Sequence, residues 1–220
     1  LKHYPTAEYL VPTDLKGNIR LRGTVLQVGD GDGFRMFHQP FLRIFGAPSK
    51  NGTSFREIEI TLGFLSLMEQ CADKLSETTI SVRLAGVDAP EKSYFGVGVS
   101  QPFSDEAHAW LRTHLLGRKV TIEPLAIDQY KRVVAMVYTG PFFWRKNVSV
   151  ELVEQGLGVI YDSAGAEYGE ILGELKSAQK RAQRKKLKIW SQKIVETPME
   201  WKAKNRQQGT GTSSPKKGDT

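Results

Sequence analysis

The sequence is poor in cysteine and in long apolar runs. Cys71 is the single cysteine among 220 residues, so no disulfide can form within the chain and a disulfide-held scaffold is excluded. No run approaches the roughly 18 to 20 apolar residues that a membrane-spanning helix needs. No internal repeat is found either. With 40% hydrophobic and 25% charged residues, the composition is that of an ordinary globular domain.

Acidic residues are outnumbered by basic ones, 24 against 31, which gives a formal net charge of +7 and a pI near 9.4. A positive field of this kind raises the local concentration of polyanions. Nucleic acid or an anionic membrane surface is therefore the expected partner. The charge alone does not decide this, because a solvated basic surface without a specific partner explains it equally well.

The chain is long enough for one well-buried domain, whereas two full domains would be crowded. Residues 1–19 are predicted to form an N-terminal arm, and residues 20–195 the folded domain. Within the domain, residues 39–77 are irregular and too numerous for a plain connection, so they are interpreted as an insertion after the second strand. Residues 196–220 are polar and rich in Gly, Ser and Lys, and we expect a disordered basic tail.

Two hydrophobic periodicities alternate along the predicted domain. Alternation of apolar and polar residues predicts five strands, and apolar positions three and four residues apart predict three helices. The order βββ–α–ββ–α–α indicates an α+β domain built on a small antiparallel barrel. A further short helix is predicted inside the insertion, from the spacing of Leu62, Leu65 and Met68. The strands cover about residues 20–28, 34–37, 80–86, 120–122 and 132–138, and the helices about 107–115, 148–153 and 171–182.

Two short acidic segments each follow a predicted strand: residues 30–33 (DGDG) and residues 88–91 (DAPE). Carboxylates at strand ends bring oxygen ligands together around one hard divalent cation. The first segment is not a helix–loop–helix calcium site, because Phe34 and Arg35 stand where a ligand and a glycine are required. Taken alone, it is better explained as a hairpin turn.

The second acidic segment strengthens the metal hypothesis. Asp88 is a candidate ligand, and the carbonyl of Ala89 is another, since backbone oxygens bind calcium well. Glu91, across a proline, presents a carboxylate that can take a proton from a water molecule attacking phosphorus. A polar loop at a strand end explains this segment alone equally well.

Arginine and tyrosine residues near these segments suit a phosphate ligand. Arg83 precedes the second acidic segment, and Arg132 opens a predicted strand. Planar guanidinium groups bind phosphate oxygens in a bidentate way and stabilise the charge that develops at phosphorus. Tyr130 can donate a hydrogen bond to phosphate or stack on a base. Taken singly, each of these three residues is more simply explained as an ordinary surface residue.

Five motifs occur in order along the chain: VGDGD at residues 28–32, VRLAGVDAPE at 82–91, DQYKRVVA at 128–135, VEQGLG at 153–158 and KKLKIW at 185–190. Together they resemble the staphylococcal (thermonuclease-like) nuclease family. Within that family they are similar to the fungal endonucleases that carry a long loop after the second strand. The similarity covers the predicted domain to about residue 192, apart from the insertion.

The resemblance implies a five-stranded OB-type β-barrel with three helices, and calcium-dependent hydrolysis of phosphodiester bonds in DNA and RNA. It leaves Mg²⁺ open as the ion. Single-stranded substrates are expected, because the attacked phosphate must enter a cleft beside the barrel. A monomer is expected. Similar fungal proteins are often membrane-anchored and associated with mitochondria, so an anchor upstream of this chain and a membrane or mitochondrial location are left open.

The resemblance also implies which residues hold the metal. By position, Asp32 and Asp88 resemble the direct carboxylate ligands of the family. The carbonyl of Ala89 resembles an assisting ligand, and Asp30 a supporting carboxylate beside them.

The remaining candidate residues resemble those that act on the phosphate. Glu91 takes the place of the family's proposed general base. Arg83 and Arg132 stand where its two catalytic arginines belong. Tyr130 matches a tyrosine that contacts the substrate phosphate, and Tyr161 one that stacks on the nucleotide.

The chain departs from the family pattern at four positions. Gly33 and Ala89 stand where threonine is usual, Lys131 where glycine is common, and Gln129 in place of a lysine. None of these changes removes a residue with a direct chemical role. The alternative function is a catalytically inactive nucleic-acid or protein-binding module of the same fold. Such modules usually lose carboxylates or arginines, whereas this chain keeps them.

Overall fold

The computed structural model describes residues 2–39, 74–93, 99–163 and 165–209. The helix predicted near Leu62, like most of the insertion, lies outside these residues. All five predicted strands and all three predicted helices of the barrel domain lie within them.

Eight strands occur in the described part of the chain, and five of them have the length of the strands predicted from the sequence. They are β1 (Leu21–Val28), β2 (Gly33–His38), β3 (Ile80–Leu84), β4 (Val87–Asp88), β5 (Lys119–Ile127), β6 (Val133–Thr139), β7 (Lys146–Asn147) and β8 (Val159–Ile160). Strands β4, β7 and β8 have two residues each, which is too short for a periodicity to show in the sequence.

Five α-helices accompany these strands within the same described residues. They are α1 (Leu75–Thr78), α2 (Ser104–Leu115), α3 (Val148–Glu154), α4 (Leu172–Arg184) and α5 (Pro198–Gly209). The three predicted helices are α2, α3 and α4, whereas α1 lies inside the insertion and α5 in the predicted tail. Each helix of the described residues is too short or too polar to cross a membrane.

The five longer strands close into a barrel. Antiparallel pairs join β2 to β1, β1 to β5, β5 to β6 and β2 to β3. A parallel pair between β3 and β6 completes the ring, with Val82 opposite Val133. A closed ring leaves no unpaired edge in the central sheet. The predicted five-stranded OB-type barrel with three helices is therefore confirmed.

Side chains alternate between the two faces of β3, so that one face lies in the core and the other carries Arg83. Ile80, Val82 and Leu84 are fully buried, while Arg83 lies on the opposite face of the strand. The helices cover the barrel with apolar faces of their own; α2, for example, buries Leu111 completely. The hydrophobic interior thus fixes the direction in which Arg83 points.

The N-terminal arm packs on the barrel. Tyr4 and Leu10 are buried in the core, and the Tyr4 hydroxyl donates a hydrogen bond of 3.1 Å to Asp14 Oδ2. Further along, the backbone N–H of Lys16 donates to the carbonyl of Leu125 in β5 at 3.2 Å. The arm is therefore a layer of the domain that leads directly into β1.

The prediction of a disordered tail from residue 196 is wrong for the twelve residues of α5, Pro198–Gly209. Thr197 and Glu200 form a reciprocal cap at the start of this helix. The backbone N–H of Glu200 donates to Thr197 Oγ1 at 3.3 Å, and that of Thr197 donates to Glu200 Oε2 at 2.7 Å. Such a cap satisfies amides that a helix start leaves unpaired, and Pro198 suits the first helical position. These local contacts offset the polar composition on which the prediction depended.

The two acidic segments touch each other at one end of the barrel. A Cβ atom placed on Gly31 would lie 2.6 Å from Ala89 Cβ and 3.1 Å from Ala107 Cβ. Those distances are below van der Waals contact, so only glycine allows the first segment to pack between the second segment and α2. The loops that carry Asp32 and Asp88 are consequently in direct contact.

Substituting Gly31→Ala should lower the free energy of unfolding by roughly 1 to 3 kcal/mol, the usual cost of overpacking a tight contact. The added methyl group meets short side chains rooted in backbone, which cannot rotate away. Urea unfolding curves measure the effect. Gly29→Ala is the matched control, because a Cβ there would meet no described atom within 4 Å. Equal stability of the two variants would show that the segments are not in contact.

Candidate functional site

The register of the barrel brings three candidate residues to strand β3 and its two neighbouring strands. Gly33, at the start of β2, pairs with Arg83 in β3, so Asp32 lies beside that arginine. In the parallel pair, Val82 of β3 is opposite Val133 of β6, so Arg132, just before β6, lies level with the residue two before Arg83. Segments far apart in the sequence therefore supply one site.

Arg83 bridges the two acidic segments. Its Nε donates to Asp32 Oδ2 at 3.3 Å, and its Nη2 donates to Asp88 Oδ1 at 3.0 Å. Both aspartates are buried, and the side chain of Arg83 is 15% exposed. Two buried carboxylates share one guanidinium group, so Arg83 alone balances only one of their two negative charges.

Asp30 adds a third carboxylate. Its Oδ1 is buried and has no hydrogen-bond partner among the described residues. Burial and the neighbouring Asp32 charge raise the pKa of Asp30 to about 7. Burial and the charge of Asp32 likewise raise the pKa of Asp88 to about 6. A Cβ at residue 33 would lie 2.6 Å from Asp30 Oδ1, so Gly33, where threonine is usual, leaves room for this carboxylate.

The donor chemistry of these groups suits a hard divalent cation, although the described side chains alone do not complete a metal site. Excess negative charge and a buried oxygen without a partner are what Ca²⁺ or Mg²⁺ binding would relieve, and carboxylate oxygens are the ligands that both ions prefer. The carbonyl of Ala89 is the third candidate ligand. Ala89 is buried, follows Asp88 directly and contacts Gly31 through its side chain. Among the described residues, no group of three or more His, Cys, Asp or Glu side chains is arranged to hold a metal. Substrate or water oxygens would have to complete the coordination.

Tyr161 lies against Arg83. The short antiparallel pair between β4 and β8 puts Asp88 opposite Val159, and the Tyr161 N–H donates to the carbonyl of Gly86 at 3.1 Å. The guanidinium carbon of Arg83 lies 4.8 Å from the centre of the Tyr161 ring, a cation–π distance. The predicted stacking residue therefore belongs to the same cluster as the metal candidates.

A tight turn orients Arg132. Asp128 Oδ1 accepts hydrogen bonds from the backbone N–H groups of Tyr130 and Arg132, both at 2.9 Å. Its Oδ2 accepts one from Arg132 Nε at 2.8 Å. Lys131 has a φ of 60°, in the left-handed region that glycine adopts easily. The turn therefore keeps a conformation that favours glycine although lysine occupies the position. The charge of Arg132 is thus held in place by Asp128, a residue to which the sequence analysis gave no role.

A cavity of about 540 Å³ is lined by Asp88, the two arginines and the two tyrosines, whereas Asp30, Asp32 and Ala89 are not part of its lining. Its volume is within the range of about 300 to 1,000 Å³ that is typical of small-molecule sites. Glu91 does not line it directly but contacts a residue that does. The lining includes Arg83, Asp88, Tyr130, Arg132, Tyr161 and Lys202.

The contact of Glu91 is with Lys202, in helix α5, at 2.6 Å between Nζ and Oε1. Burial alone would lower the pKa of Lys202, but the hydrogen bond to Glu91 and the charge of Asp88 raise it above the ordinary value. Gln101, which is buried, accepts a hydrogen bond from the Glu91 N–H at 3.1 Å and donates one to the Glu196 carbonyl at 2.8 Å. Sequence reasoning missed both Lys202 and Gln101.

In metal-free protein, Asp30→Asn should raise the free energy of unfolding at pH 8 by on the order of 2 kcal/mol and change it little near pH 4. Because the folded-state pKa of Asp30 is raised to about 7, the folded state binds more protons than the unfolded one between about pH 4 and 7. Stability is therefore lost as the pH rises through that window, and asparagine removes the loss. Urea unfolding in EDTA at the two pH values measures this. Asp162→Asn, at an exposed position, is the control; a pH-independent effect at Asp30 would contradict the assignment.

Known proteins are similar to this chain in sequence, and a family model matches one domain of it. The family model described as Staphylococcal nuclease homologue matches residues 81–192. The probable endonuclease LCL3 of Clavispora lusitaniae is 41% identical over 183 residues, covering 83% of this chain and 72% of that protein. The probable endonuclease LCL3 of Meyerozyma guilliermondii is 40% identical over 195 residues, covering 88% and 78%. That of Candida albicans is 37% identical over 204 residues, covering 92% and 80%. The chain therefore belongs to the family of staphylococcal nuclease homologues.

Proposed function

We propose that this protein is a metal-dependent endonuclease that hydrolyses phosphodiester bonds in DNA and RNA. One observation carries the proposal: Arg83 joins the buried carboxylates of Asp32 and Asp88 at a cavity that Arg132 also lines. A metal ion needs carboxylate ligands, and a phosphodiester needs cationic groups. The site offers both at one place. The similarity to proteins named probable endonucleases supports the same activity.

Asp32, Asp88 and the carbonyl of Ala89 would hold the metal, with Asp30 in support. These are hard oxygen donors, so Ca²⁺ is the expected ion and Mg²⁺ the alternative. When bound, the dication neutralises phosphate charge and polarises a phosphoryl oxygen. Without it, these carboxylates would repel the one phosphate group that is to be cleaved, while contacts elsewhere on the strand would remain.

The two arginines bind the phosphate oxygens. Arg83 and Arg132 are 15% and 26% exposed and already fixed by carboxylate partners, so little side-chain entropy is lost when phosphate arrives. A guanidinium group donates two parallel hydrogen bonds to a phosphate, and these strengthen as charge grows on the equatorial oxygens. Lysine at these positions would not supply the same geometry.

Glu91 accepts the proton of the attacking water. The water oxygen forms a bond to phosphorus and its proton passes to the carboxylate. The bond from phosphorus to the 5′-oxygen, the leaving group that the family resemblance implies, then breaks, and this oxygen takes a proton from solvent water. The products are then a 3′-phosphate and a 5′-hydroxyl end. The hydrogen bond from the Glu91 N–H to Gln101 fixes the backbone that presents this carboxylate.

The exposed aromatic rings favour single strands. Tyr130 is 68% exposed at the edge of the cavity, and Tyr161 lies deeper, against Arg83. Bases that are not paired can turn toward such rings and stack on them, while the phosphate enters the cavity. Stacking involves the face of the base and not the 2′-hydroxyl that distinguishes RNA from DNA, which agrees with action on both.

Cleavage of denatured DNA should stop in EDTA and return when Ca²⁺ is added in excess. The reason is that Asp32 and Asp88 need a cation between them and the phosphate. The measurement is a gel or fluorescence assay on single-stranded DNA and on RNA, with Mg²⁺ in a parallel series to identify the ion. Undiminished cleavage in chelator would remove the metal from the mechanism.

Glu91→Gln and Arg132→Ala should each lower kcat/KM by at least about a hundredfold while the fold persists. The first loses the proton acceptor and the second a cation at the phosphate. Matched controls are Glu106→Gln and Arg112→Ala, at exposed positions of α2. Cleavage by the two site variants as fast as by the controls would show that the roles assigned to Glu91 and Arg132 are wrong.

A further inference from the structure

Helix α5 forms one wall of the cavity. Met199, Lys202 and Ala203 line it from this helix, opposite the arginines of the barrel. The side chain of Lys202 is 45% exposed, against 15% for Arg83 and 26% for Arg132. Lys202 is thus the cation nearest the solvent among the three, which places it at the mouth of the cavity.

Specific contacts dock this helix. Gln101 joins two elements, because its side chain accepts from the Glu91 N–H and donates to the carbonyl of Glu196, just before the helix. On the other side, the Ser163 hydroxyl donates to Met199 Sδ at 3.2 Å. Both the oxygen and the nitrogen of this buried amide are hydrogen-bonded, so Gln101 fixes the start of α5 relative to Glu91. The position of Lys202 therefore follows from the packing of the domain.

The partner of Lys202 differs from the partners of the arginines. Arg83 is bound by the metal candidates, and Arg132 by Asp128, which takes part in no step of the proposed reaction. Lys202 is bound by Glu91, which must be free to accept a proton in the proposed reaction. The Lys202 ammonium contacts Oε1 of this carboxylate at 2.6 Å, so it occupies one of the two oxygens that would accept the proton. The pair has to open before the reaction.

We propose that Lys202 binds a phosphate of the nucleic-acid strand at the mouth of the cavity, and that in doing so it releases Glu91. This rests on the proposed function and adds a substrate-binding residue from the C-terminal helix. A lysine ammonium carries three donors on a flexible stem, so it can exchange one oxygen anion for another without moving its helix. The partly exposed pair with Glu91 costs little to break.

The cavity itself argues against a helix that simply blocks the site. About 540 Å³ stays open with α5 docked, so a nucleotide has room to enter. Removing Lys202 should therefore weaken binding. It should not increase the activity, as removal of an inhibitory contact would.

The test measures binding of a short fluorescent oligodeoxythymidylate to the full chain in EDTA, where no cleavage is expected. Lys202→Ala should raise the Kd about tenfold, as expected for one lost charge-assisted hydrogen bond. The slope of log K against log salt should decrease by about 0.7, the value for one phosphate contact on a single strand. Lys202→Arg should keep both near those of the unsubstituted protein.

Lys204→Ala is the matched control, because Lys204 lies on the same helix but pairs with Glu196 at 2.8 Å, and the cavity lining does not include it. It should change the Kd by less than about twofold. In Ca²⁺, Lys202→Ala should raise KM about tenfold and leave kcat within about twofold. Thermal unfolding of each variant checks that the fold persists.

The proposal is overturned by equal Kd values and salt slopes for Lys202→Ala and Lys204→Ala, or by no binding of the unsubstituted protein. It is also overturned by a rise in kcat/KM on Lys202→Ala, which would identify α5 as an inhibitory element. Failure of the nuclease function has a different signature. In that case the unsubstituted protein would bind the oligonucleotide but would not cleave it in Ca²⁺.

Discussion

The site depends on the bridge that Arg83 makes between Asp32 and Asp88. All three side chains are largely withdrawn from water, so each charge is tolerated only because the others are there. Breaking a buried pair by removing one partner typically costs about 3 to 5 kcal/mol. Because Arg83 lies on β3, which pairs with both β2 and β6, the bridge forms only where the barrel closes. Closing the barrel therefore also brings the residues of the site together.

The sequence was sufficient to predict the barrel because its long strands carry their own signal. In β3 the alternation of Ile80, Val82 and Leu84 with polar residues gave both the strand and the outward direction of Arg83. The acidic segments were recognisable because they follow strands directly. Their contact was not, since it depends on a glycine, Gly31, packed between two distant elements. Periodicity describes one element at a time and contains no information on which elements meet.

The C-terminal helix was missed for a different reason. Residues 197–200 carry a local helix signal, a threonine and a glutamate three positions apart with proline between them, but the polar composition of the segment outweighed it. The ion pair of Lys202 with Glu91 joins residues far apart in the chain and has no local pattern at all. Gln101 was also missed, because its hydrogen bonds to Glu91 and Glu196 leave no local pattern in the sequence. Charge and composition predicted a solvated tail, and tertiary contacts through α5 placed part of it at the site.

The parallel pair between β3 and β6 has a consequence for the order in which the protein matures. Val82 and Val133 are distant in sequence, and contacts of this kind form late in folding because a long loop must first be closed. Arg83 and Arg132 stand on the two sides of that closure. A partly folded chain in which β3 and β6 have not paired consequently lacks the juxtaposed arginines, so the centre proposed above would be assembled only in the completed barrel.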